Sequence, residues 1–212
     1  MALGRRLPLA LLVFGLVAAL AACGGSKKKS ALDCTKTSGT PTGGHAVAPP
    51  TELLPAGNYS VVLKTNYGSF TISIDRKESP NLAASFVSLT RKGFFDGTIF
   101  HRIVPGFVIQ GGDPTGTGEG GPGYSCVDVP PAVTAYTHGV VAMAKTNDEP
   151  AGTSGSQFFV VTAANAQLPA DYAVLGNVTS GIAVVDKIGT FGNASEVPTK
   201  RVVIQKATVH DG

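Results

Sequence analysis

From Tyr59 onward, apolar and polar positions alternate along the chain. Tyr59-Ser-Val-Val-Leu-Lys-Thr runs into a turn at Tyr67-Gly68, after which Phe70, Ile72 and Ile74 mark every second position. A period of two predicts a half-buried β-hairpin. The period lengthens after Ser79-Pro80, where Leu82, Phe86 and Leu89 recur on one face and Gly93 follows. That spacing predicts a helix with Ser79 as N-cap, Pro80 at its first position and a glycine just past its end. Further strands are predicted over 98–103, 107–111, 139–144, 157–162, 172–178 and 200–209, and a second short helix over 181–188. With 27 glycines and 14 prolines in 212 residues, the strands must be short and joined by many turns, as in a closed barrel or a sandwich.

The N-terminal residues follow a different pattern. Arg5 and Arg6 precede the uncharged run Leu7–Ala22, which is too short for a comfortable bilayer span and is built like a secretory signal peptide. It ends Leu20-Ala21-Ala22-Cys23-Gly24, which resembles the lipobox of bacterial lipoproteins. The expectation is a signal peptide over 1–22, lipidation at Cys23, and an exported protein lipid-anchored to the outer face of the bacterial cell membrane. Residues 23–56 are rich in Gly, Ser, Thr and Pro and too poor in apolar area to offset the cost of ordering, so they read as a flexible tether. Lys27–Lys29 would then lie near anionic headgroups or simply be solvated. The domain proper is placed at 57–212. Cys34 falls in the tether and Cys126 in a Gly/Pro-rich loop, and spacing alone leaves their pairing open.

Charge sharpens this division. The net charge is +3, but Arg5, Arg6, Lys27, Lys28, Lys29 and Lys36 all precede residue 57, opposed there only by Asp33 and Glu52. From Gly57 onward eleven basic residues face twelve acidic ones, which gives no case for a nucleic-acid partner. His45, His101, His138 and His210 lack ligand spacing, so neither a metal nor another cofactor is expected. Gly116-Thr-Gly-Glu-Gly-Gly121 matches the dinucleotide fingerprint, but Pro122-Gly123 follows and no helix can open there to receive a phosphate.

Two stretches concentrate the chemistry. Phe100-His-Arg-Ile-Val-Pro-Gly-Phe-Val-Ile-Gln-Gly-Gly-Asp113 sets one arginine and one glutamine among apolar and aromatic residues, and in Gly155-Ser-Gln-Phe-Phe-Val-Val161 strand alternation points Gln157 and Phe159 to one face. With Val140-Val-Ala-Met-Ala144 between them, these motifs stand in the order of the cyclophilin-type peptidyl-prolyl cis-trans isomerases, which the chain resembles over about 58–209. The resemblance implies a mostly β fold, a closed eight-stranded antiparallel barrel capped by two α-helices, with a substrate groove on its outer wall. It also implies a monomer that accelerates X-Pro isomerisation in exported polypeptides without a covalent intermediate.

Matching positions assign roles to individual residues. Arg102, Gln110 and Phe107 would be catalytic; Phe107, Val108, Phe159 and Leu168 would form the cup for the proline ring; Ala144, Lys145 and Gln157 would hold the flanking peptide; and Tyr172 would be an aromatic wall. His101 reads as structural. The chemistry suits these residue types. Rotation about an X-Pro bond meets a barrier of roughly 20 kcal/mol set by amide resonance, and the twisted amide exposes a nitrogen lone pair to which a guanidinium can donate. Three positions depart from the family pattern: Lys145 replaces a usual asparagine, Gln167 a frequent tryptophan and Tyr172 a common histidine. Without the indole, cyclosporin is expected to bind weakly. A module that holds Pro-containing segments without turnover is the rival reading; the intact Arg102, Phe107, Gln110 and Phe159 favour the enzyme.

Overall fold

The computed structural model describes Met1 and residues 32–212. The predicted hairpin is β2 (Tyr59–Thr65) and β3 (Gly68–Ile74), paired in continuous antiparallel register from Tyr59↔Ile74 to Thr65↔Gly68. Val61, Leu63, Phe70 and Ile72 all point inward and are buried, as the alternation requires. Helix α1 (Pro80–Arg91) follows and buries Leu82, Phe86 and Leu89. Ser79 is its N-cap by position, yet the Ser79 side chain makes no capping hydrogen bond. The cap comes from across the fold, where the Asp128 carboxylate accepts the Leu82 N–H at 2.6 Å and an Asn81 side-chain N–H at 2.9 Å. Burial raises the Asp128 pKa above the usual carboxylate value, against the pull of these donors.

The remaining strands are β4 (Ile99–Val104), β5 (Val108–Asp113), β6 (Tyr124–Val127), β7 (Val140–Met143), β8 (Thr153–Ser154), β9 (Phe158–Val161), β10 (Val174–Ser180) and β11 (Ile204–Asp211), with α2 (Ile182–Gly189) before the last. Six of them join β2 and β3 in one eight-stranded antiparallel sheet in the order β11-β2-β3-β10-β7-β9-β5-β4. The sheet curls until its two ends meet at a short seam. There Ile99 bridges Val203, the Phe100 N–H donates to the Val202 carbonyl at 3.0 Å, and the Ile204 N–H donates to the Thr98 carbonyl at 2.9 Å. The expected barrel is thus closed by a seam rather than by a full ladder. Its interior is packed with aromatic rings, Phe158 lying 5.6–6.0 Å from Phe86, Phe95 and Phe100 in edge-to-face contact.

The tether expected over 23–56 is corrected for the residues described from 32 onward. Cys34–Lys36 form a strand, β1, which pairs with β6 and through it with β8 in a second, three-stranded sheet. Cys34 and Cys126 sit opposite each other in that register and are joined by a disulfide. Beyond β1 the strap continues over the Gly-rich loop: Thr37 N–H donates to the Gly123 carbonyl at 3.1 Å, Gly121 N–H to the Pro41 carbonyl at 2.9 Å, and Val47 N–H to the Pro122 carbonyl at 3.2 Å. Composition underestimates this segment because its order comes largely from backbone pairing with β6 and the Gly-rich loop and from a covalent link, to which Val47 and Leu54 add apolar contact with the core. Cys23 and the run over 7–22 lie outside the described residues.

Candidate active site

The outer face of the sheet carries the site. Arg102 on β4 stands opposite Gln110 on β5, Gln110 opposite Phe159 on β9, and Phe159 opposite Ala142 on β7, so one row of the ladder runs straight across four strands. Val108 is two residues from Gln110 and shares its face. Arg102 reaches this face only because β4 is irregular. The register shifts between Phe100 and Arg102, so Phe100 and Ile103 both enter the core and are fully buried despite their odd spacing, while Arg102 is turned outward. Strict alternation would have placed Phe100 and Arg102 on the same side.

The guanidinium is held from two directions. Its Nε donates to Glu196 Oε2 at 2.7 Å and its Nη1 to Gln110 Oε1 at 3.2 Å. Gln110 in turn donates through Nε2 to Gln157 Oε1 at 3.1 Å, and Gln157 Nε2 donates to the carbonyls of Gly118 and Gly120 at 2.8 and 2.9 Å. This chain holds the guanidinium through Nε and Nη1, and Arg102 lines a cavity of about 180 Å³. Phe107, Val108, Phe159 and Leu168 form the apolar part of its wall, and Ala144, Lys145 and Tyr172 complete the rim. Phe107 is presented by the turn after β4, where Gly106 adopts a φ of +70°.

Two of the departures from the family pattern are explained by their surroundings. The Lys145 side chain is only 3% exposed; its ammonium pairs with Asp171 at 2.7 Å and donates to the carbonyls of Thr146 and Glu149 at 3.2 and 3.1 Å. All three donors are used, so Lys145 braces the loops on either side of the cavity. Tyr172 packs edge-on against Phe159 at 5.6 Å and Tyr136 at 6.0 Å. Tyr136, which the sequence did not single out, locks it by donating to the Tyr172 carbonyl at 2.7 Å and accepting its N–H at 3.0 Å. Gln167 is exposed in a left-handed turn with φ of +52° and does not line the cavity.

Gln157 belongs to an adjoining cavity of about 310 Å³, which shares Gln110, Ala144 and Lys145 with the first. Its floor is the Gly-rich loop, and the use of that loop is now clear. Asp113 points into it, accepting N–H groups from Thr115 at 2.7 Å, Gly118 at 2.6 Å and Gly120 at 3.2 Å, together with the Thr115 hydroxyl at 2.8 Å. Burial would raise the Asp113 pKa, but these four donors hold it below the usual carboxylate value. The loop therefore cradles its own carboxylate instead of a phosphate. His101 lies beside Gly118 with neither ring nitrogen hydrogen-bonded among the described residues. Burial lowers its pKa, with Asp113 opposing and Arg102 reinforcing the shift, so the ring is neutral near pH 7. No group of three or more His, Cys, Asp and Glu among the described residues is placed to hold a metal.

Glu196 is the site residue that sequence reasoning missed. It lies in a loop far along the chain, at a left-handed φ of +63°, and its own carbonyl accepts the Ile103 N–H at 3.0 Å. A glutamate in a loop sequence carries no mark of such a role. Glu196→Gln, which keeps an acceptor for Nε but removes the charge, is expected to lower kcat a few-fold, and Glu196→Ala about tenfold, each with KM nearly unchanged because the cup is untouched. A steady-state split on an X-Pro peptide checks this; an equal rise in KM would mean that Glu196 shapes the cup rather than orients Arg102.

Comparison with known proteins bears on this geometry. The family model described as cyclophilin type peptidyl-prolyl cis-trans isomerase/CLD matches residues 60–209. Peptidyl-prolyl cis-trans isomerase-like 1 of Gibberella zeae is 37% identical over 155 residues, covering 71% of this chain and 94% of that protein. The Homo sapiens protein of the same name is 36% identical over 167 residues, covering 76% and 97%. The crystal structure of a Cryptosporidium parvum cyclophilin type peptidyl-prolyl cis-trans isomerase superposes with a TM-score of 0.67 at 30% identity, covering 73% of this chain and 99% of that one. A further structure of it, determined in the presence of the dipeptide Ala-Pro, gives 0.64. These relatives are eukaryotic, and they overturn the localisation expected from the N-terminal residues, an exported protein lipid-anchored to the outer face of a bacterial cell membrane. No helix among the described residues is long and apolar enough to cross a membrane.

Proposed function

Because the chain belongs to the cyclophilin-type peptidyl-prolyl cis-trans isomerase family, we propose that its outer-wall groove binds proline-containing polypeptides and that Arg102 stabilises the twisted X-Pro amide. The observation that carries this reading is a guanidinium fixed by Glu196 and Gln110 in the lining of an apolar cup. The cup formed by Phe107, Val108, Phe159 and Leu168 takes the proline ring and excludes water from it. In the planar ground state the prolyl nitrogen is conjugated and accepts nothing. As the amide twists its lone pair becomes available, so a donor held beside it gains an interaction that exists only near the transition state. Arginine suits this task because it never loses its proton and because two of its five N–H groups can anchor it while the others serve the substrate.

No bond is made or broken, which agrees with a site whose one histidine is neutral and turned away from the catalytic row. Ala144 and Lys145 flank the cup on the β7 side, where the Ala144 N–H is engaged by the Gln157 carbonyl at 2.9 Å, leaving the adjacent backbone to steady the peptide on either side of the proline. Exchange spectroscopy by NMR on a short X-Pro peptide tests the reading with the full chain. The cis and trans resonances are expected to exchange within seconds or faster, against tens of seconds uncatalysed. A peptide that binds in the cup but exchanges no faster than in buffer would instead make the protein a binding module.

A further inference from the structure

The second cavity is walled in part by residues that lie outside the matched domain. The family model spans residues 60–209, yet Thr37 and Thr40 of the N-terminal strap line this cavity together with Gln110, Ala144 and Lys145, which it shares with the proline cup. The strap is not loosely apposed. The Thr40 hydroxyl donates to the Thr37 hydroxyl at 3.0 Å, and a Cβ on Gly121 would lie 3.2 Å from Thr40 Cγ2, so the glycine loop and the strap are fitted to each other. The Cys34–Cys126 disulfide and the β1–β6 ladder anchor the strap just upstream of these threonines.

We propose that the strap is a specificity element of the isomerase: Thr37 and Thr40 complete a subsite that takes a long, cationic substrate side chain two or three residues from the proline. This rests on the groove being the peptide-binding site argued above. The reach follows from the shared residues, since an extended peptide advances about 3.3 Å per residue and the two cavities adjoin. The chemistry follows from the charges that face the cavity. Glu119 and Glu149 line it, and neither is in an ion pair among the described residues, while the one cation there, Lys145, is buried against Asp171 and neutralised. The threonine hydroxyls and the loop backbone offer polar partners beside apolar surface from Pro122, Tyr124 and Ala144, which suits the long aliphatic stem and charged head of a lysine or arginine.

The test compares the full-length, disulfide-intact protein on three peptides: a four-residue X-Pro peptide too short to reach the subsite, and two seven-residue peptides with Lys or with Glu two and three positions from the proline on both sides. Wild type is expected to show kcat/KM about fivefold higher for the Lys than for the Glu peptide, a difference of about 1 kcal/mol. Thr40→Phe, which plugs the cavity from the strap, is expected to lower kcat/KM for the Lys peptide about tenfold and to leave the short peptide within about twofold. Glu119→Gln, at an exposed position that cannot unsettle the fold, is expected to reduce the Lys-over-Glu preference towards unity. Equal treatment of both long peptides by wild type, or a Thr40→Phe protein whose losses are the same on all three, overturns the inference while turnover of the short peptide still supports the isomerase reading. If wild type does not turn over the short peptide either, it is the isomerase reading that falls.

Discussion

Arg102→Ala is expected to lower kcat/KM for X-Pro isomerisation about a hundredfold, the loss typical of removing one preorganised donor from a transition state. Most of the loss should appear in kcat. Arg102 makes its key contact only when the amide is twisted, whereas the proline ring is held by Phe107, Val108, Phe159 and Leu168, none of which depends on the guanidinium. Stability should change by less than about 1 kcal/mol, because the lost pair with Glu196 is partly solvated on both sides. Arg102→Lys is informative as well. A lysine keeps the charge but cannot bridge Glu196 and Gln110 while presenting a further donor, so it should recover little of the rate. A Lys variant with near wild-type kcat would show that positive charge alone suffices and that the fixed geometry at Glu196 and Gln110 is incidental.

Phe158→Ala is expected to produce the largest loss of stability, about 3–5 kcal/mol. Phe158 is fully buried and stacks edge-to-face with Phe86, Phe95 and Phe100, so truncation leaves a cavity at the meeting point of helix α1 and the barrel wall. A domain of this size is typically stable by only about 5–15 kcal/mol, so the variant forfeits a large part of its margin. Urea denaturation checks this, with the midpoint falling while the slope is retained. Its neighbour Phe159 points the other way, into the cup, where its ring meets Tyr136 and Tyr172. Folded Phe158→Ala protein at low temperature should therefore keep the KM of the wild type. A loss below about 1 kcal/mol would mean that the aromatic cluster relaxes around the missing ring and does not act as a rigid core.

These two residues illustrate how far the sequence could be read. Adjacent phenylalanines in a short strand must face opposite sides, so one had to be core and one had to be surface or site. The hairpin, both helices and the approximate limits of the barrel strands were legible for the same reason, since each depends on a local period, while the grouping of Arg102, Phe107, Gln110 and Phe159 came from the family resemblance of two separate motifs. Glu196 was not legible, because its role depends on a loop 94 residues away folding back onto β4. Asp128 was also hidden as the cap of α1. A residue 46 positions downstream supplies the acceptor that the local Ser79 does not.

The N-terminal strap shows the opposite error. Its composition is that of a free linker, and a burial argument based on apolar area alone releases it from the domain. What retains it is a backbone ladder to β6, a disulfide and hydrogen bonds to the glycine loop, with Val47 and Leu54 as its few apolar contacts to the core.

By itself, then, the sequence determined the hairpin, the two helices and the buried side of the regular strands, because alternation and helical spacing are properties of neighbouring residues, whereas the closed barrel and the groove residues followed only from the resemblance of its ordered motifs to a known family. Tertiary structure alone decided three further things: which way Arg102 faces, what holds it there, and what closes the second cavity. The register shift in β4 rotates the arginine outward, Glu196 arrives from a distant loop to fix it, and the strap crosses the molecule to wall the neighbouring subsite. Each is a contact between residues far apart in the chain, and no local pattern encodes where a distant segment comes to rest.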